Sequence, residues 1–245
     1  MNFSVVVPVY NNQRSLKQIH QNISKSFSSF NYSYQIVFVD DSSDDLSFDT
    51  LRQLKDTDPA ISILQLQKNY SQPVAILAGL EYAVGNYIII LSADLQEEEL
   101  FIDKLISATA KFPDSDLFVG YRNKNSDYFI YKFLSRLFYK IIQLKIPKMP
   151  LGGFDTGIIS SDLKQKFIRS YYDGIFIQGT LVQLANKVEC IEYHRKKGAA
   201  TTFRVKSIYF KLNYFLICVA SVYFPSAKEA VSQNASFYLI KKYLP

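Results

Sequence analysis

Two cysteines in 245 residues, Cys190 and Cys218, are too few for a disulfide framework and lack the spacing of a zinc site. Both lie among apolar or aromatic neighbours and are expected to be buried thiols. No apolar run approaches the ~20 residues needed to cross a bilayer; the longest, Tyr214 to Phe224, is about half of that. The N-terminus carries no basic region followed by a signal-type apolar stretch, so export is not expected and a cytoplasmic location is. Neither an internal repeat nor a low-complexity linker is legible, and there is no Ser/His/Asp arrangement or phosphate-binding Gly-rich loop, which removes the commonest hydrolase and P-loop signatures. His194 and His20 read as packing or surface positions rather than bases.

What is present suits one folded domain: 48% hydrophobic and 20% charged residues, far from the composition of a disordered chain. The 28 Lys and Arg exceed the 22 Asp and Glu by 6, and the surplus gathers around Arg195, Lys196, Lys197, Arg204, Lys206 and Lys211. A basic strip of this kind fits a nucleotide diphosphate, a lipid phosphate or an anionic headgroup. Nucleic acid is not expected as a partner, because no module that reads it is recognisable.

Short β-branched or aromatic runs at 3–9, 35–40, 61–66 and 87–91 predict strands buried on both faces, and apolar spacing at 12–28, 46–56 and 72–84 predicts helices between them. Strands alternating with helices imply a mainly parallel, doubly wound α/β sheet. Further on, 127–144 predicts a basic, aromatic amphipathic helix, 147–157 a Pro/Gly-rich loop, 161–186 two helices and 187–194 a strand. The expected organisation is a single domain over 1–225, with a nucleotide-binding half (1–120), an acceptor-side half (121–225) and a C-terminal tail (226–245).

Ligands of such sheets bind at the carboxyl ends of the strands, and three of the four predicted strands end in polar groups. The first gives Pro8, Tyr10, Asn11 and Asn12, the second Asp40 to Asp45, and the fourth Ser92, Ala93, Asp94, Leu95 and Gln96. Each acidic stretch could be a solvated loop capping a helix. Two of them at the ends of two parallel strands also fit oxygen ligation of a divalent cation that offsets charge on a departing diphosphate.

The strings Val-Val-Val-Pro-Val-Tyr-Asn-Asn, Val-Phe-Val-Asp-Asp-Ser-Ser-Asp and Leu-Ser-Ala-Asp-Leu-Gln, in this order, resemble the family 2 glycosyltransferases of the GT-A fold, in particular the branch of dolichyl-phosphate mannose synthases and bactoprenol glucosyltransferases. Gln67 to Gln72 and Ala78-Gly79-Leu80 resemble that branch's next segment. The resemblance implies that Pro8, Tyr10, Asn12, Val39 and Asp41 contact the nucleoside of a nucleotide-sugar, with Asp41 accepting from the base. Ser92 and Ala93 would line the phosphates, and Asp94 and Gln96 would hold Mg²⁺ or Mn²⁺. Arg122 and Arg195 fall where relatives meet the diphosphate or acceptor phosphate. Asp155, in Gly152 to Gly157, falls in an acceptor-side loop, which could equally be a turn needing positive φ. Asp94, Asp155 and Arg122 are the catalytic candidates. Ser92 stands where many relatives have Asp, Asn12 where Glu is common, and Ser71 where they have glycine.

An inverting transfer to a hydroxyl needs a general base, and 150–190 offers no carboxylate pair, only Asp155 and Asp173. A phosphate acceptor is already ionised, which favours a polyprenyl phosphate or lipid-linked glycan. Residues 207–224, aromatic and apolar with Arg204, Lys206 and Lys211 nearby, suit an interfacial helix on an anionic cytoplasmic leaflet. A core helix or a homo-oligomer contact is the alternative. A non-catalytic nucleotide-sugar-binding or partner protein of the same fold is the alternative function.

Overall fold

The first apolar run forms β1 (Phe3–Val9), buried along its whole length. The computed structural model describes residues 2–93, 101–122, 129–150, 153–154, 156–171, 176–193, 216–219, 222–223 and 238–245. After β1 come α1 (Gln13–Phe30), β2 (Tyr34–Asp40), α2 (Ser47–Thr57), β3 (Ile61–Leu66), α3 (Gln72–Tyr82) and β4 (Tyr87–Ile90). The chain continues through α4 (Phe101–Lys111), β5 (Leu117–Arg122), α5 (Phe129–Gln143), β6 (Gly157–Ser160), α6 (Ser161–Ser170), α7 (Ile177–Leu184), β7 (Val188–Tyr193) and β8 (Ile240–Leu244). All eight strands form one sheet in the order β7-β5-β6-β4-β1-β2-β3-β8.

The sheet separates two apolar layers. One contains Leu16, Leu51 and Leu105 from α1, α2 and α4. The other contains Leu77, Ile142, Leu163 and Leu181 from α3, α5, α6 and α7. α1 buries Leu16, Ile19, Ile23 and Phe27, three or four residues apart, and ends on Asn31 in the left-handed conformation (φ 52°). α3 differs: every residue from Val74 to Leu80 is buried, because it lies on the centre of the sheet and is covered in turn by α6. Its approach to β1 is close enough that a Cβ on Gly79 would fall on Val6 Cγ1 and lie 3.1 Å from Val39 Cγ2.

Pro8 sits in a central strand without breaking the ladder. The carbonyl of Val9 accepts from Asp41 on the β2 side, whereas Val6 accepts from Leu91 on the β4 side. Alternation therefore turns residue 8 towards β4, beyond the last paired residue Ile90, where no partner requires an N–H.

Two strands depart from the sequence reading. Residues 157–160, which lie between the expected 147–157 loop and the helices expected from 161, form β6, antiparallel between β4 and β5. Residues 240–244, expected in a tail beyond 225, form β8, antiparallel to β3 at the sheet edge. Cys218 is buried as expected, but Cys190 is exposed on the edge strand β7. His20, read as a surface position, is largely buried 2.8 Å from the Asp58 carboxylate, joining α1 to the loop before β3.

Candidate functional site

The registers of the central strands, Val9 beside Asp40, Asp40 beside Gln65 and Val6 beside Ile90, bring the loops after β1, β2, β3 and β4 to one edge. The helices after β1 and β2 lie on one face and the helix before β4 on the other, so the crevice between β1 and β4 is a topological switch point. Gly157 of β6 pairs with both Ile90 and Val119, which carries the approach from Thr156, and Arg122 at the end of β5, to that same edge.

The first two loops are stitched together. Asn11 N–H donates to Ser43 Oγ (3.0 Å), Asn12 N–H to Ser47 Oγ (3.0 Å), Asp44 N–H to Asn11 Oδ1 (2.9 Å) and Tyr10 O–H to Asp44 (3.3 Å). The Tyr10 ring remains 44% exposed, a free face for stacking. Asn12 turns inward, its Oδ1 accepting from Tyr10 N–H at 3.0 Å. Val39 is fully buried in the core, so its side chain offers a nucleoside no surface.

Asp41 is 3% exposed, and its two oxygens accept from the N–H groups of Tyr70 (2.8 Å) and Ser71 (2.9 Å). It therefore clamps the loop between β3 and α3. Each carboxylate oxygen has a second acceptor site for a ligand donor. Burial pushes the Asp41 carboxyl above the usual carboxylate range, against the lowering effect of those two N–H groups. Asp40 is also raised by burial, although Ser43 N–H and the Gln65 amide donate to it.

Among the described residues, four non-glycine residues have positive φ, and three of them, Asn11, Ser42 and Ser71, stand in these loops. Ser71, at φ 86° and ψ 158°, occupies a region that is almost exclusively glycine's. Ser71→Gly is therefore expected to raise stability by about 1 kcal/mol, strain relief outweighing the greater freedom of the unfolded chain. A higher denaturant midpoint at unchanged slope is the predicted result; a lower one would show that the serine is unstrained.

At the end of β4, Ala93 is buried, and its carbonyl accepts from the Ser15 hydroxyl of α1 (2.6 Å), which also lies 3.0 Å from Asn12 O. Ser92 is half-buried beside it. Asp94, Gln96, Asp155 and Arg195 lie outside the described residues, as does the Arg122 side chain. Among the described residues no group of three or more His, Cys, Asp or Glu is placed to hold a metal ion. The expected ligands, one carboxylate and one amide oxygen directly after Ala93, are hard oxygen donors of the kind Mg²⁺ and Mn²⁺ take.

Two residues beside the Gly153 loop had no signal in the sequence. The Gln178 amide of α7 donates to Phe154 O, and Tyr139 O–H of α5 donates to Gln178 Oε1 at 3.3 Å. Together they secure the loop at Gly153, whose φ of 67° makes it a left-handed turn.

A parallel β3-β2-β1-β4 core with one antiparallel strand before β5, and polar loops at its carboxyl edge, is the GT-A architecture. The mannosyltransferase PcManGT of Pyrobaculum calidifontis, solved with GDP-Man and Mn²⁺, shares it at a TM-score of 0.63 and 14% identity over 90% of this chain and 63% of that one. The chain belongs to glycosyl transferase family 2, which it matches over residues 4–163. It is 33% identical over 142 residues to Bacillus subtilis CsbB, named as a glycosyltransferase, covering 57% of this chain and 42% of that protein. It is 26% identical over 202 residues to the prophage bactoprenol glucosyl transferase homolog of Escherichia coli, covering 82% of this chain and 65% of the relative. The chain thus spans 42% to 65% of the length of these relatives.

Proposed function

We propose that this chain transfers a sugar, with inversion, from a nucleotide-sugar to a polyprenyl phosphate or lipid-linked glycan in the synthesis of a cell-surface polysaccharide. The observation that carries the reading is the convergence of Tyr10, Asn12, Asp41, Ser92 and Ala93 on one crevice of a family 2 chain. In it, the Tyr10 ring and Asp41 hold the nucleoside, and Ser92 and Ala93 line the phosphates. Arg122 and Arg195, by their place in the sequence, would meet the diphosphate or the acceptor phosphate. The acceptor oxygen bonds to the anomeric carbon as the bond to the diphosphate breaks, so negative charge moves onto the leaving group. Asp94 and Gln96 would hold a divalent cation there, which would supply charge neutralisation. An ionised phosphate oxygen attacks without proton removal; for a hydroxyl acceptor, Asp155 is the carboxylate available as a base.

The relative of Escherichia coli named for bactoprenol favours a lipid acceptor, and the PcManGT complex favours a nucleotide-sugar with Mn²⁺. Ser92, a hydroxyl where many relatives carry a carboxylate, favours the second reading of a donor-binding protein without turnover. A thermal-shift screen of UDP-, GDP- and dTDP-sugars with and without Mn²⁺ tests donor binding, since a ligand of the native state raises the melting temperature by mass action. A metal-dependent rise with one donor class is expected. No rise with any of them would sink the donor-site reading.

No described helix is long and apolar enough to cross a membrane. The short helical segment 216–219 exposes Leu216 and Ile217 while Cys218 is buried, and Tyr223 O–H donates to Ile141 O of α5 (2.7 Å). Exposed Leu137 and Leu144 belong to the same helix α5 and the turn after it. These exposed apolar side chains support a reading of peripheral binding to an anionic cytoplasmic leaflet, in which Arg195, Arg204, Lys206 and Lys211, outside the described residues, would supply attraction of about 1 kcal/mol each. Binding to anionic vesicles in sedimentation should weaken as salt rises, because that attraction decays within roughly 8 Å at physiological salt. Absence of binding at low salt would assign 207–224 to the core or an oligomer contact.

A further inference from the structure

We propose that Tyr70 and the C-terminal segment from Tyr238 to Ile240 form a brace that positions the 67–71 loop for the nucleotide, an inference that rests on the donor-site reading above. The loop is held from two sides. Towards the crevice, the Asp41 carboxylate takes the N–H groups of Tyr70 and Ser71. On the opposite side, Leu239 contributes both of its backbone groups: its N–H donates to the Tyr70 hydroxyl (3.3 Å) and its carbonyl accepts from Gln67 N–H (2.9 Å).

The aim of residue 239 comes from a bulge. β8 pairs Lys242 with Gln65 but Ile240 with Leu66, so Lys241 is an extra residue that shifts the strand by one position beside the loop. The Leu239 side chain is 58% exposed, so apolar burial does not explain why this segment lies here. Tyr238 does the anchoring: it is 6% exposed and its hydroxyl donates to Glu81 on α3, the helix that begins where the loop ends. Burial and the Glu81 carboxylate both hold the Tyr238 phenol far above the usual range, which keeps it a donor. The loop itself is strained at Ser71, and a strained segment persists only when its surroundings hold it. Tyr70 links the two holds, with its backbone on Asp41 and its hydroxyl on Leu239, while Lys68 Nζ lies 5.1 Å above its ring. The C-terminal strand therefore bears on the nucleotide site through Tyr70.

The test compares the full-length wild type with Tyr70→Phe, which removes only the hydroxyl, and Tyr238→Phe, which releases the anchor on Glu81. Two readouts are taken: amide exchange over 67–72, and the affinities of UDP, GDP and dTDP by calorimetry with Mn²⁺. Both variants should exchange Tyr70 and Ser71 amides faster, with exchange in β1 and β2 unchanged. Both should bind the preferred nucleotide about three- to tenfold more weakly, the effect of one lost hydrogen bond. Wild-type exchange in both variants overturns the brace, and faster exchange with unchanged affinity overturns its link to the nucleotide. If the wild type binds none of the three nucleotides, the donor-site reading fails, and the exchange comparison alone then decides whether the brace exists.

Discussion

Asp94→Asn is expected to lower the rate of sugar transfer at least about a hundredfold while leaving the fold intact, a loss on the scale of removing one preorganised group that stabilises developing charge. Asp94 is the only carboxylate in Ser-Ala-Asp-Leu-Gln, because position 92 carries a hydroxyl. A chain with an acidic residue at both positions could retain part of its cation affinity after losing one, whereas here position 92 offers no second carboxylate. The end of β4 is fixed without Asp94: Leu91 N–H donates to Val6 O and Ala93 O accepts from Ser15, so removal of the charge does not loosen the strand. The variant should melt within a degree or two of the wild type without metal, and show a smaller rise with nucleotide and Mn²⁺. Near-wild-type turnover with Mn²⁺ would place the cation elsewhere.

Gly79→Ala should have the largest effect on folding. An alanine in a helix ordinarily gains about 1 kcal/mol over glycine. Here the new methyl would fall on Val6 Cγ1 and crowd Val39 Cγ2, at a point where both strands and helix are fully buried. Overpacking of a rigid core costs about 1–3 kcal/mol and occasionally more. Val6 belongs to the central strand, which cannot retreat without moving β2 and β4, so the upper end applies and a net loss of about 2 kcal/mol is expected after the helix gain. Denaturant unfolding measures it. The Val6→Ala change in the Gly79→Ala background should restore part of the loss, since the two sites are in contact and their effects are not additive. A Gly79→Ala protein as stable as the wild type would show that α3 rides further from β1 than described.

The central sheet was legible because strands enclosed on both faces read as unbroken apolar runs: 3–9 and 61–66 coincide with β1 and β3. β6 escaped because four residues, Gly-Ile-Ile-Ser, between a glycine-rich loop and a helix carry too little pattern. β8 escaped because Ile-Lys-Lys-Tyr-Leu is largely exposed at an edge, with charges that read as tail. At the site, the positions of Tyr10, Asn12, Asp41, Ser92 and Ala93 were readable from the strand ends. Their partners were not. The hold of Asp41 on Tyr70 and Ser71 joins residues 29 and 30 positions apart, and that of Leu239 on Tyr70 spans 169. Local sequence carries no signal for such pairs. The family resemblance implies a nucleoside contact for Val39, yet alternation along β2 turns its side chain to α3.

The central claim is catalytic transfer at this crevice, and the most direct measurement is release of nucleoside diphosphate together with labelled sugar-lipid. The full-length protein would be incubated with UDP-, GDP- or dTDP-sugar, polyprenyl phosphate and Mn²⁺ or Mg²⁺. One donor class is predicted to yield nucleotide and glycosylated lipid in equal amounts, with the Asp94→Asn variant yielding neither above background. Donor binding without transfer of the sugar to the lipid phosphate or to a glycan acceptor would contradict the account and leave the chain as a nucleotide-sugar-binding protein of this fold.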